Sequence, residues 1–155
     1  MPRPGFVLDV DRSTPPTLFW RGEGFSLERL PADRSRIIYP PEPLAGLENL
    51  DEHIRQALLD PLDMDPLPEL LTPGMKLTIC FDDASLSIPK MQRPDNRQRI
   101  IEIVLDMAAA AGVDDVHIIA ALGLHRRMHE YELRHVLGDR IVDAFMPNGY
   151  LYQHD

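Results

Sequence analysis

Lys76-Leu77-Thr78-Ile79-Cys80-Phe81 and Val116-His117-Ile118-Ile119-Ala120-Ala121 are the two stretches that decide the fold. Each is a six-residue, mainly apolar or β-branched run of strand length, and the first reads as a largely buried strand. Between them, Ile100, Ile101, Val104, Leu105 and Ala108 recur at helical spacing. Asp95 stands where a helix N-cap belongs, with Gln98 at the capping-box position. Gly112 is the expected glycine just past the helix end. After the second strand, Gly123 to Met128 reads as a loop. Residues 130–137 read as a shorter helix ending at Gly138, and Arg140-Ile141-Val142-Asp143-Ala144-Phe145 reads as a third strand. Strand, helix, strand, helix, strand predicts right-handed βαβ units around a parallel sheet. The expectation is an α/β, Rossmann-like fold with a small, mostly parallel sheet of three or four strands.

Upstream the composition changes. Twelve of the 15 prolines fall in residues 1–75, and proline fixes φ and removes a backbone donor. A Pro-rich extended segment over residues 1–48 is therefore expected, ahead of an α/β part over residues 49–155. Arg36-Ile37-Ile38-Tyr39 is a short β-like run within it. Residues 50–59 read as a helix with Leu50, Ile54, Ala57 and Leu58 on one face, capped by Asn49 with Glu52 at the box position. Asp60-Pro61 ends it.

At 155 residues one domain is the default. The balance of 16 basic and 25 acidic residues, net −9, argues against a phosphate-gripping nucleic-acid binder. No apolar run spans a membrane, and the first residues lack a signal peptide's apolar stretch, so a cytoplasmic location is expected. Cys80 is the single cysteine; following an apolar run, it reads as a buried, inert thiol.

In open α/β sheets, ligands bind beyond the carboxyl ends of the strands. That rule selects Asp82-Asp83-Ala84-Ser85 after the first strand and Gly123-Leu124-His125-Arg126-Arg127 after the second. Two carboxylates and a hydroxyl can hold a ribose, a metal or a cation; they can equally cap a turn. His125 suits general acid/base work, or a backbone hydrogen bond in a loop. Gly123 permits close approach or positive φ. Arg126 and Arg127 could bind a carboxylate or phosphate, or stay solvated. His125, His129 and His135 do not fall at zinc-like spacing, so no metal site within this chain is expected. His53 and His117 read as surface or core histidines, and the scattered methionines as packing.

At these two loops the chain resembles the N-terminal domain of the nickel-dependent lactate racemase family. Asp82-Asp83-Ala84-Ser85-Leu86-Ser87-Ile88-Pro89 lies on the family pattern Asp-Asp-x-Thr-Arg-Pro-x-Pro. Gly123-Leu124-His125-Arg126-Arg127-Met128, continuing to Glu132-Leu133, lies on Gly-Thr-His-Arg-Pro-Met-Thr and its acidic continuation. The resemblance covers about residues 40–155. It implies racemisation or epimerisation of a small 2-hydroxy acid. It also implies a nickel-pincer nucleotide that takes and returns a hydride. His125 would be one of two acid/base histidines, with Asp83 beside substrate and cofactor. Asp82, Ser85, Gly123, Arg126 and Arg127 would complete the binding loops.

The departures are specific. Leu86 stands where the family has a carboxylate-gripping arginine, which leucine cannot imitate. Leu124 replaces a threonine and Ser87 a proline. The family's second histidine, cofactor-bearing lysine and nickel-ligand histidine lie beyond the matched segment. The chain alone is therefore expected to be inactive, acting with the remainder of a longer protein or with a partner chain. A non-catalytic module binding a small anion or nucleotide in the same crevice is the alternative. An interaction protein docking through its Pro-rich half ranks third.

Overall fold

The computed structural model describes residues 5–84 and 90–154. They form two units, divided between Gly46 and Leu47. In the first unit the extended chain is paired. Strand β1 (Val7–Asp9) and strand β4 (Arg36–Ile38) are antiparallel, as are β2 (Thr17–Trp20) and β3 (Phe25–Glu28). The prolines lie outside these four strands, where their missing N–H groups cost no ladder bond. Leu18 faces Leu27 and Trp20 faces Phe25 across the second pair, and all four are exposed.

The second unit begins with α1 (Leu50–Leu59) and the single turn α2 (Leu67–Leu70). Asn49 does not cap α1 through its side chain. It sits in the left-handed region at φ 53, and only its carbonyl accepts, from the Glu52 and His53 N–H groups. Next come β5 (Lys76–Asp82), α3 (Asn96–Ala110), β6 (Asp115–Ala121), α4 (Glu130–Leu137), α5 (Asp139–Phe145) and β7 (Leu151–Gln153). The three strands form an all-parallel sheet in the order β5-β6-β7, with helices in each connection. The α/β class follows directly.

Helix α3 starts and stops where the sequence sets it. The Asp95 carboxylate accepts from the Arg97 N–H. At the far end Val113 N–H reaches the Ala108 carbonyl and Gly112 N–H reaches Ala109, with Gly112 at φ 76. This is a Schellman closure. Gln98 makes no capping box; its amide donates to Glu102 instead. Ile101 and Ala108 are buried, whereas Ile100 is exposed.

The expected strand over residues 140–145 is helix α5. On a strand, Ile141, Asp143 and Phe145 would share one face, which would drive a carboxylate into the core. On a helix Ile141, Val142 and Phe145 share it. Ile141 and Val142 are buried, while Asp143 is exposed. The third strand is β7 instead, entered after a turn at Gly149 with φ 74.

Val116, Ile118 and Ala120 of β6 turn to the helices and are buried. Ile118, Leu133, Val136, Leu137, Ile141 and Val142 form the heart of one cluster with Ile101 and Phe81. Each such aliphatic side chain contributes about 1.5–3 kcal/mol on burial. The opposite sheet face carries Thr78, Cys80, His117, Ile119 and Tyr152, and of these Thr78, Cys80 and Tyr152 are exposed. The expectation that the 76–81 run is largely buried therefore fails. β5 is an edge strand that buries only Phe81 fully. For the same reason Cys80 is an exposed thiol, not a buried one.

Candidate functional site

Parallel pairing brings distant segments to one level. The β5–β6 register sets Asp82 opposite Ala121, so both chains leave the sheet side by side. Beyond β5 run Asp83 and Ala84. Beyond β6 a tight turn closes when His125 N–H donates to the Leu122 carbonyl at 2.9 Å. Gly123, the second residue of that turn, has φ 58, a conformation costly for residues bearing a Cβ. The turn leaves Leu124 fully exposed and directs His125 back toward the first loop.

There His125 meets Asp83. Its Nδ1 lies 3.0 Å from Oδ1 and 3.1 Å from Oδ2 of the carboxylate. The Asp83 side chain is only 6% exposed, whereas that of His125 is 41% exposed. A buried carboxylate thus faces one ring nitrogen while the ring itself stays accessible. With the proton on Nδ1 donated to Asp83, Nε2 carries the lone pair. That form can accept a proton from a hydroxyl and return it. Asp82 points away, with an 84% exposed side chain.

Two arginine–carboxylate pairs hold these loops, and neither was singled out from the sequence. Asp95 is completely buried. Its two oxygens accept from Nε and Nη2 of Arg97 at 2.9 and 2.8 Å. Nη1 of the same guanidinium donates to the Asp82 carbonyl at 3.0 Å and the Asp83 carbonyl at 3.1 Å. Burial pushes the Asp95 carboxyl up, but the Arg97 hydrogen bonds outweigh it and leave it below the usual carboxylate range. The hydrogen bond to Asp95 in turn raises the Arg97 guanidinium.

The second pair is Arg126 and Glu132. Nη1 and Nη2 each lie 2.8 Å from a Glu132 oxygen, a bidentate fork. Glu132 is buried and also accepts from the His129 N–H at 2.8 Å. The Arg126 hydrogen bond holds its carboxyl down at about 2, against the opposing effect of burial. Arg126 Nη1 also donates to the Arg127 carbonyl. Nη1 and Nη2 of Arg126 are thus turned onto α4 and onto its own loop. From β7, the Gln153 amide clasps the Met128 backbone, accepting from its N–H at 2.6 Å and donating to its carbonyl at 3.0 Å.

The remaining candidates are placed as follows. Arg127 is exposed in the second loop. Ser85, with Leu86 and Ser87, lies outside the described residues. His129 stacks on Tyr131 at 5.5 Å, and His135 Nε2 lies 3.0 Å from the Met91 carbonyl. Neither joins His125. Among the described residues no three His, Cys, Asp or Glu side chains converge as a metal site requires, and no helix is long and apolar enough to cross a membrane. Asp95 was legible only as a cap. Glu132 carried a signal, standing three residues after the helix start at His129 as a capping box requires.

No curated protein matches the chain by sequence. The family described as lactate racemase N-terminal domain matches residues 22–155, which takes in both loops, all three parallel strands and the β2–β3 hairpin residues from Gly22 on. With that match spanning most of the sequence, the chain belongs to the lactate racemase N-terminal domain family.

Proposed function

We propose that this chain supplies the proton-handling part of a racemase or epimerase acting on a small 2-hydroxy acid. His125 takes the substrate hydroxyl proton on Nε2 and returns it. Asp83 holds the ring and steadies the imidazolium while the proton resides there. The contact between buried Asp83 and Nδ1 of accessible His125 carries the reading. It is the arrangement a histidine base needs, with one nitrogen fixed and the other presented.

In this family the carbon-bound hydride is handled by a nickel-pincer nucleotide. The described residues offer no converging set of ligating side chains for nickel. They do not fit that group, and no step here is routed through it. The proposal assigns the metal and its nucleotide to the remainder of a longer protein or to a partner chain. For the substrate carboxylate it assigns Arg127, exposed in the same loop. A non-catalytic anion module built on Arg126 draws less support, because that guanidinium already grips Glu132.

The test uses the protein in its full native context, loaded with cofactor, and follows interconversion of 2-hydroxy acid enantiomers by chiral chromatography. Loss of a general acid/base usually costs about 10²–10⁴-fold, and His125→Ala is expected to lose at least that much while remaining folded, as shown by a cooperative thermal unfolding transition. An H125A protein that racemises at the wild-type rate would sink the proposal.

A further inference from the structure

We propose that Arg97 is a positioning residue for the Asp83–His125 pair, setting the direction of the Asp83 carboxylate from the N-terminus of α3. The inference rests on the acid/base reading of His125 and extends it to a residue that touches neither substrate nor His125.

The argument is a chain of constraints. Asp95 is fully buried and is fixed as the N-cap of α3 by the Arg97 N–H at 2.9 Å. Its carboxylate takes two nitrogens of the Arg97 guanidinium, Nε and Nη2, along one edge, which orients the guanidinium plane. The remaining nitrogen, Nη1, is then aimed at the end of β5. There it binds the carbonyls of Asp82 and Asp83, with the Asp82 carboxylate at 3.3 Å. Those two carbonyls bracket the backbone from which the Asp83 side chain leaves. They lie where the sheet ladder has just ended, since β5 stops at Asp82. Without Arg97, the Asp82 and Asp83 carbonyls would lose this donor at the point where side-chain direction matters. Displacements of about 1 Å in such a supporting shell are enough to spoil a catalytic geometry.

An arginine is needed for geometric reasons. Only a planar fork can take a carboxylate on one side and two carbonyls on the other. A lysine keeps the charge beside Asp95, but its three donors radiate from one nitrogen and cannot span the carboxylate and both carbonyls. This separates positioning from net charge: Arg97→Lys preserves the charge and removes the planar fork.

The experiment measures the tautomer of neutral His125 from its imidazole ¹⁵N shifts in the purified chain, together with thermal unfolding. Five proteins are compared: wild type, R97K, D83A, V136A, and a double variant with Asp95→Asn and Arg97→Leu. The double variant removes the buried charge with its partner, so that neither is stranded if R97K fails to fold. V136A is a core truncation that destabilises without touching the pair. The wild type is expected to hold the proton on Nδ1. D83A should lose that preference, and R97K and the double variant should each cut the Nδ1–H population to roughly half or less. V136A should keep it despite its lower melting temperature. If D83A shifts the tautomer while a folded R97K or double variant does not, the inference about Arg97 is overturned and the pair stands. If D83A leaves the tautomer unchanged, the pair itself fails, and this inference with it.

Discussion

The loops after β5 and β6 both end parallel strands, and both are anchored by an arginine on a buried carboxylate in a helix's first turn or cap. They differ in what the anchor holds. Arg97 reaches out of α3 to grip the neighbouring loop, fixing the backbone of Asp82 and Asp83. Arg126 belongs to the loop it braces and is drawn down onto Glu132 of α4. The first loop therefore presents a buried carboxylate on a braced backbone. The second presents an accessible histidine above a self-contained brace. In the proposed proton transfer neither loop suffices alone, and the parallel register brings Asp83 and His125 together.

The largest expected effect comes from breaking the contact between the loops. Asp83→Ala should lower kcat for racemisation by about 10²-fold or more, because the imidazole loses the partner that fixes its tautomer. KM should change far less, which steady-state kinetics on the cofactor-loaded protein would separate. Arg127→Ala should show the reverse pattern, with KM raised about tenfold and kcat nearly preserved, if that side chain meets the substrate carboxylate.

Next come changes that test the brace alone. Glu132→Gln should cost about 2 kcal/mol of stability, because it weakens a charge-assisted fork and leaves Arg126 half-paired, a loss moderated by that arginine's exposure. Acid should act on the same pair. The Glu132 carboxyl is held at about 2, below its ordinary 4.5. Its stabilising contribution is therefore complete above pH 4.5 and is lost as pH falls toward 2. Denaturant titrations across that range should show wild-type stability falling more steeply than that of E132Q. The smallest effect belongs to the loop tip. Leu124 is fully exposed, and Leu124→Ser should shift stability by less than about 0.5 kcal/mol. A larger loss there would show that the turn depends on more than Gly123 and the Leu122 carbonyl.

Much of this arrangement is legible in the sequence, for identifiable reasons. β5, β6 and α3 announce themselves through apolar runs of the right length, the Asp95 cap and the Gly112 stop. The strand-end rule then leads to Asp83 and His125 without knowledge of the contact between them. Residues 140–145 misled because six residues with Ile141-Val142 at their centre suit either period, and only the position of Asp143 discriminates. β7 escaped notice because Leu151-Tyr152-Gln153 is too short to show alternation. The hairpin strands of the first unit hid among prolines for the same reason. Cys80 read as buried because sequence reports how apolar a strand is, not whether it lies at a sheet edge. Arg97 and Glu132 were missed because each acts through partners distant in the chain or in the loop, Asp82 and Asp83 for one and Arg126 for the other. A side chain's neighbours across a sheet end are set by register, which the sequence does not spell out.

The central claim is that the buried carboxylate of Asp83 holds the His125 proton on Nδ1 and frees Nε2 for the substrate. The most direct measurement is the ¹⁵N spectrum of the His125 imidazole in the wild-type chain, recorded at a pH where the ring is neutral. A protonated Nδ1 and a bare Nε2 are predicted. An imidazole carrying its proton on Nε2 would contradict the account, since the nitrogen offered to substrate would already be occupied.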